Sequence, residues 1–383
     1  MSVPSPAPRM LTPGDPVPTL YGRTSGNPRY ALDSAAGRTL AICFIGSSSA
    51  PGMRDWLGRL YATAAPFDDE AASCFIVSSD PADEAEGRLA DRYPGIRVLW
   101  DMDGALASAF GCLRTGDGGV QLACATFILD RALRVAEVLP IDRTTDHFAA
   151  MAAAITRLPS PASDREGTAP VLVVPSLIEP QLARDYIAYA RAAGLEESGF
   201  MQTDHATGQT GLVVDHRHKR RSDCTIEDAA LRDALRARIV RRLVPQVQRA
   251  FQFEATRIER YIVAAYDSAD GGWFRPHRDN TTLGTAHRRF AVSINLNADD
   301  YEGGDLRFPE FGRRTYRAPT GGAVVFSCSL LHEATPITSG VRYCILPFLY
   351  DEAGAATRLA NAQHLADPKM RDGVLASVST PKG

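Results

Sequence analysis

Cysteine is scarce in this chain, and what there is of it is unpaired. The seven cysteines (Cys43, Cys74, Cys112, Cys124, Cys224, Cys328 and Cys344) are odd in number, scattered, and never spaced as C-x-x-C. Several lie inside apolar strand-like runs, so buried reduced thiols are expected in place of a disulfide framework. Long hydrophobic runs are also missing. No stretch approaches the roughly 20 residues that a membrane helix needs, and the Pro-rich start, Met1 to Pro18, has no apolar core of signal-peptide length. A cytoplasmic protein with no membrane partner is the expectation. An excess of positive charge is absent too: 42 Lys and Arg stand against 45 Asp and Glu, a net charge of −3, which argues against bulk nucleic-acid binding.

What is present is an ordinary globular composition, 45% hydrophobic and 23% charged, over 383 residues, a length that favours two domains. In residues 1–157 apolar runs alternate with amphipathic ones. Leu40 to Ile45, Cys74 to Val77, Arg97 to Trp100, Thr126 to Leu129 and Leu133 to Val138 read as strands. Met53 to Ala65, Asp83 to Tyr93, Ala105 to Phe110 and Asp146 to Arg157 read as helices, which predicts an α/β domain with a mainly parallel sheet. Residues 158–169, with their Pro, Ser and Gly, have the composition of a linker.

Within this first domain, Pro13-Gly14-Asp15-Pro16-Val17-Pro18, Asp101-Met102-Asp103-Gly104, Ala109-Phe110-Gly111 and Ala125-Thr126-Phe127-Ile128-Leu129-Asp130 resemble motifs of the peroxiredoxins, a branch of the thioredoxin-like fold. On that resemblance the peroxidatic Cys falls on Met53, its supporting Thr on Ala50, and the Arg that activates the thiol on Cys124. Peroxide reduction needs a thiolate with a cation beside it. The domain is therefore expected to be a scaffold, interface or recognition module; a thiol peroxidase or redox sensor acting through Cys43 is the alternative.

Residues 170–352 form the second domain, followed at 353–383 by one helix and a frayed tail. Thr225-Ile226-Glu227-Asp228 has capping-box spacing ahead of a long helix whose stripe is Leu231, Leu235, Ile239, Leu243 and Val247, with Pro245 bending or interrupting it. Beyond it, Arg257 to Tyr266, Phe290 to Asn297, Asp305 to Phe308, Ala323 to Cys328 and Arg342 to Tyr350 are short apolar runs punctuated by Gly, Pro, Asn and Asp, the pattern of an antiparallel sandwich or barrel.

Chemistry concentrates in Gly271-Gly272-Trp273-Phe274-Arg275-Pro276-His277-Arg278-Asp279-Asn280. On an extended strand His277 and Asp279 point to one face. With His332 as the distant third ligand they make the two-His-one-carboxylate set that holds non-haem Fe(II) and leaves positions open. Arg342, a permanent cation on an apolar strand, needs an anion beside it.

The ordered set (Gly-rich approach, H-x-D, Gly303-Gly304-x-Leu306, Gly321-Gly322, His332, Arg342) resembles the Fe(II)/2-oxoglutarate dioxygenases of prolyl-hydroxylase type. The resemblance implies a double-stranded β-helix (jelly roll) with flanking helices, and His277, Asp279 and His332 as metal ligands. It implies 2-oxoglutarate and O₂ as co-substrates, with Arg342 on the distal carboxylate and Tyr266, or its rival Tyr261, helping to hold it. It also leaves room for ascorbate as an accessory reductant. The implied outcome is hydroxylation of an unactivated C–H bond in a peptide or small-molecule substrate; a non-catalytic binding protein is the remaining alternative. Phe274 and Asn295 stand where relatives carry Tyr, which leaves the substrate open. His216 to Arg221 reads as a solvated basic loop, or as a loop whose Arg217, Lys219, Arg220 and Arg221 reach an anionic substrate. His287, Arg288 and Arg289 are expected in solvent.

Overall fold

The computed structural model describes residues 9–63, 66–116, 119–142, 146–158, 167–204 and 206–378. Most of the predicted linker and the end of the predicted tail thus lie outside the described residues. Contacts divide the chain into two units, Met1–Gly167 with Pro309–Arg313, and Thr168–Phe308 with Arg314–Gly383.

The first unit is built on β1 (Thr39–Gly46), β2 (Ala72–Ser78), β3 (Ile96–Trp100), β4 (Ala125–Leu129) and β5 (Val135–Pro140), ordered β3-β2-β1-β4-β5. The pairings β1–β2 and β2–β3 are parallel, whereas β1–β4 and β4–β5 are antiparallel, so the sheet is mixed and not mainly parallel. Continuous β-branched and aromatic runs bury both faces of β1 and β2. Helices α1 (Met53–Ala62) and α2 (His147–Arg157) cover one face through Trp56, Leu57, Leu60, Met151 and Ala154. This is a thioredoxin-like layer. The helix expected from Asp83 to Tyr93 is only Pro81–Ala85, because Gly87 turns at φ 61° and the Asp83 carboxylate is buried on Ser48 and Ser78.

In the second unit the strands that position the site are β6 (Leu172–Val174), β7 (Lys219–Arg220), β8 (Ser222–Thr225), β9 (Ile262–Asp267), β10 (Trp273–His277) and β11 (Phe290–Asn295). They continue as β12 (Leu306–Arg307), β13 (Thr315–Tyr316), β14 (Ala323–Ser327), β15 (His332–Ala334) and β16 (Ile337–Ile345). One sheet runs β6-β14-β11-β16-β9-β8 and the other β7-β10-β15-β12-β13, every pairing antiparallel. Two-residue alternation fixes what each face meets. Val263, Ala265, Val292, Ile294, Tyr343 and Ile345 face the helices, while Ala264, Tyr266 and Cys344 face Phe274 and Ala334 of the smaller sheet. The result is a double-stranded β-helix with helices on its outer side.

Those helices are α3 (Pro180–Ala193), α4 (Ala229–Arg238) and α5 (Val244–Phe251). Leu235, Ile239, Leu243 and Val247 are fully buried, each worth roughly 1.5–3 kcal/mol over an exposed position. Pro245 has no N–H to continue the helical ladder, and a π turn at Ile239–Leu243 joins α4 to α5 around it. The cap of α4 is Asp228, which accepts from the Leu231 N–H; Thr225 belongs to β8, so the expected capping box does not form. The C-terminal segment holds two helices, α6 (Glu352–Ala360) and α7 (Pro368–Val378), where one was expected. Pro368 opens the second with the fixed φ that suits a first turn.

Candidate metal and co-substrate site

His277 ends β10 and His332 begins β15, and the two are direct cross-strand partners. Asp279, two residues past the strand, is tied down where its N–H donates to the Cys328 carbonyl at 3.0 Å. Its carboxylate lies 3.6 Å from His277 Nε2 and 3.4 Å from His332 Nε2. The ligand atoms of the three residues all lie within 4.8 Å of one another.

The tautomers follow from the backbone. His277 Nδ1 lies 2.7 Å from the Arg275 carbonyl and His332 Nδ1 lies 3.0 Å from the Leu330 carbonyl. A carbonyl only accepts, so each Nδ1 carries the proton and each Nε2 turns a lone pair toward Asp279. Burial first, and then the nearby His277, push His332 down to about 4, so it is neutral near pH 7. Burial alone would raise the Asp279 carboxyl; the neighbouring histidines outweigh that and hold it well below the usual carboxylate range. Two imidazole nitrogens and one carboxylate form a donor set suited to a divalent first-row metal. Phe274 stacks on the His277 ring, centroids 3.5 Å apart, and fixes its orientation. Arg288 donates to the Asp279 carbonyl at 3.4 Å and is itself held by Glu259.

Arg342 lies on β16 directly opposite Tyr266 on β9. It is 4% exposed, donates to the Gly304 carbonyl at 2.6 Å and to Ser293 Oγ at 2.8 Å, and leaves Nε without a partner. No carboxylate pairs with it among the described residues, although a buried guanidinium ordinarily needs one. A cavity opens beside it, lined among others by Ser293, Asn295, Tyr301, Tyr316 and Arg317. Its polar lining and its orphaned cation fit a small carboxylate.

Tyr266 is buried with this group, its ring 5.3 Å from the Arg342 guanidinium. Tyr261 packs on the helix-facing core instead, with Arg232 5.3 Å from its ring. The two weighed tyrosines thus sit on opposite faces of the larger sheet. Asn295 and Tyr301 went unremarked as a pair, yet they exchange hydrogen bonds of 2.8 and 3.0 Å inside the cavity. Alternation along β11 places Ser293 and Asn295 together on the inward face, which was the available signal.

Two sequence expectations are corrected. Part of the basic stretch is withdrawn from solvent: Lys219 and Arg220 form β7 against Trp273 and Phe274, and Lys219 and Arg221 are 4% and 8% exposed, while His216, Arg217 and Arg220 stay in solvent as expected. Arg217 pairs with Asp215, Arg221 with Asp223, and Arg220 donates to the Asp270 carbonyl. His287 and Arg288 are buried as well, because both converge on Glu259 at 2.8 Å.

In the first unit Met53 is buried at the start of α1, and Trp56 Nε1 lies 3.1 Å from its sulfur. Burial raises the thiol pKa of Cys124 and pushes that of Cys112 up to about 12. Cys43 and Cys74 are fully buried, their sulfurs 3.8 Å apart.

A jelly roll carrying a two-histidine, one-carboxylate cluster beside a buried arginine defines the class. Residues 261–350 match the model of the 2OG-Fe(II) oxygenase superfamily, so the second unit contains such an oxygenase domain. Two Synechococcus PKHD-type hydroxylases are 24% identical over 98 residues, 24% of this chain and 43% of theirs, so the chain spans under half the length of these relatives. A PKHD-type hydroxylase of Cupriavidus metallidurans is 32% identical over 94 residues, 22% of this chain and 41% of that protein. Among solved structures, a Pseudomonas putida prolyl-4-hydroxylase is similar over 48% of this chain and 94% of its own, at 19% identity and TM-score 0.34. Xanthomonas campestris peroxiredoxin Q is similar over 39% of this chain and 98% of its own, at 24% identity and TM-score 0.33.

Proposed function

We propose that the second unit is an Fe(II)- and 2-oxoglutarate-dependent dioxygenase that hydroxylates an unactivated C–H bond, in the manner of prolyl hydroxylases. The first unit, with Met53 at the nucleophile position, serves as a non-catalytic module. The observation that carries the reading is the pairing of a three-residue donor set with a buried arginine that has no carboxylate of its own.

His277, Asp279 and His332 would hold the iron, which with 2-oxoglutarate and O₂ supplies the oxidising power for C–H hydroxylation and yields succinate and CO₂. The chain's own contribution is positioning. Carbonyl-anchored Nδ1–H groups keep both Nε2 lone pairs inward, and Asp279 adds one negative charge. Arg342, steadied by Ser293 and Gly304, presents Nε to a distal carboxylate. Phe274, Tyr266 and Tyr301 wall the site and exclude water.

The test is succinate formation from 2-oxoglutarate under Fe(II) and O₂, with ascorbate as reductant, across a panel of peptides and amino acids. Substrate-stimulated succinate that disappears in His332→Ala is the expected result. Undiminished coupled turnover in that variant, or no succinate with any panel member, would remove the reading.

A further inference from the structure

Lys219 is a buried lysine that the proposed chemistry leaves unused. It sits on β7 opposite Phe274 and is 4% exposed. Its Nζ donates to Ser198 Oγ at 2.7 Å and to the Gly199 carbonyl at 2.5 Å, both neutral. An ammonium has three donors, and the third finds no acceptor among the described residues. Asp223, a neighbouring carboxylate, is taken by Arg221 through contacts of 2.6 and 2.7 Å and by the Ser198 hydroxyl. Burial, and after it the neighbouring Arg221, hold the Lys219 ammonium down to about 6, a cost that an incoming anion would offset.

Its place is as telling as its want of a partner. Nζ lies 5.2 Å from the centroid of the Phe274 ring, and the same ring stacks on His277 at 3.5 Å. One aromatic ring therefore separates the cation from a proposed iron ligand. We propose that Lys219 receives the carboxylate of a small, amino-acid-sized substrate whose reacting C–H bond lies at the His277, Asp279 and His332 centre. This rests on the proposed dioxygenase reading and names its substrate class. Size follows from the geometry: a molecule touching both the centre and Lys219 spans little more than the Phe274 ring. Arg342 is engaged separately, with Gly304 and Ser293 on another strand.

The experiment is calorimetric titration of the full chain with a panel of L-amino acids, each paired with its primary amide. The unaltered protein, Lys219→Met and Arg342→Met are compared, with thermal unfolding as the folding control. At least one acid should bind about tenfold more tightly than its own amide in the unaltered protein and in Arg342→Met, and within about twofold of it in Lys219→Met. Acid and amide binding alike in the unaltered protein, which needs no variant to fold, would overturn the proposal. So would a preference that survives Lys219→Met, or one abolished by Arg342→Met. Succinate formation is scored apart: its absence would remove the dioxygenase reading while leaving the acid-against-amide comparison intact.

Discussion

At the scale of single residues the site is governed by buried cations and what they lack. Arg342 has neutral acceptors on Gly304 and Ser293 and an idle Nε. Losing a buried charge-assisted pair with a ligand costs about 2–5 kcal/mol. Arg342→Met should therefore raise the 2-oxoglutarate dissociation constant by about 30-fold or more, measured by titration of the Mn(II)-loaded protein; a constant within threefold would show that the carboxylate lies elsewhere. His332→Ala should leave less than about one tenth of the bound iron, read by metal analysis after dialysis. Lys219 gives a pH signature. Its folded pKa of about 6 lies below the ordinary 10.5, so the unfolded chain binds more protons between those values and stability rises with pH across that window. Lys219→Met removes this dependence. The variant should gain most at and below pH 6, on the order of a few kcal/mol less the two lost hydrogen bonds, with the gain fading toward pH 10.5. Denaturant midpoints taken at pH 6 and pH 9.5 check it, and a variant no more stable at pH 6 than at pH 9.5 relative to the parent refutes it.

At the scale of elements, the candidate site hangs on two cross-strand pairs, His277 with His332 and Tyr266 with Arg342. Both histidines and the arginine were legible in the sequence because ligand chemistry restricts residue type and a permanent cation in an apolar run has few explanations. The larger apolar strands were legible for the same kind of reason, since continuous or alternating runs such as Leu40–Ile45 have one sensible burial. What was hidden depended on partners distant in the chain. Lys219 and Arg221 read as basic surface until Asp223 and the β10 edge are placed beside them, and Arg288 until Glu259 is. The register of β16 also relies on the turn at Gly304, where φ is 65° and a Cβ would stand 2.1 Å from Ile337 Cδ1 and 3.4 Å from Arg342 Cδ. Gly304→Ala should cost about 1–3 kcal/mol and weaken 2-oxoglutarate binding. Adding Ile337→Val, which removes the clashing methyl, should recover part of both losses in a double-mutant cycle; strict additivity would contradict the contact.

At the scale of the whole molecule, a double-stranded β-helix unit with a two-histidine, one-carboxylate cluster and a thioredoxin-like unit share one chain. All seven cysteines are free; six are buried and Cys124 is half-buried. Buried thiols held above their usual pKa are poor nucleophiles. The native full chain should therefore titrate with an aromatic disulfide reagent at one thiol or fewer, that one being Cys124, and at seven once denatured. Consumption of hydrogen peroxide by the full chain that depends on Cys43, Cys74, Cys112 or Cys124 would contradict the non-catalytic assignment. No helix among the described residues is long and apolar enough to cross a membrane.

The histidines and the arginine are mounted on different sheets, β10 and β15 on one and β16 on the other. The span between the two histidines and the guanidinium is thus set by a packed core, which resists compression. If the second unit takes 2-oxoglutarate as proposed, the domain would act as a calliper for it, with His277, His332 and Arg342 carried on strands and only Asp279 in the turn beyond β10. Oxaloacetate and 2-oxoadipate would then have to pry two sheets apart or leave one jaw empty, so rejection by length is the expected outcome.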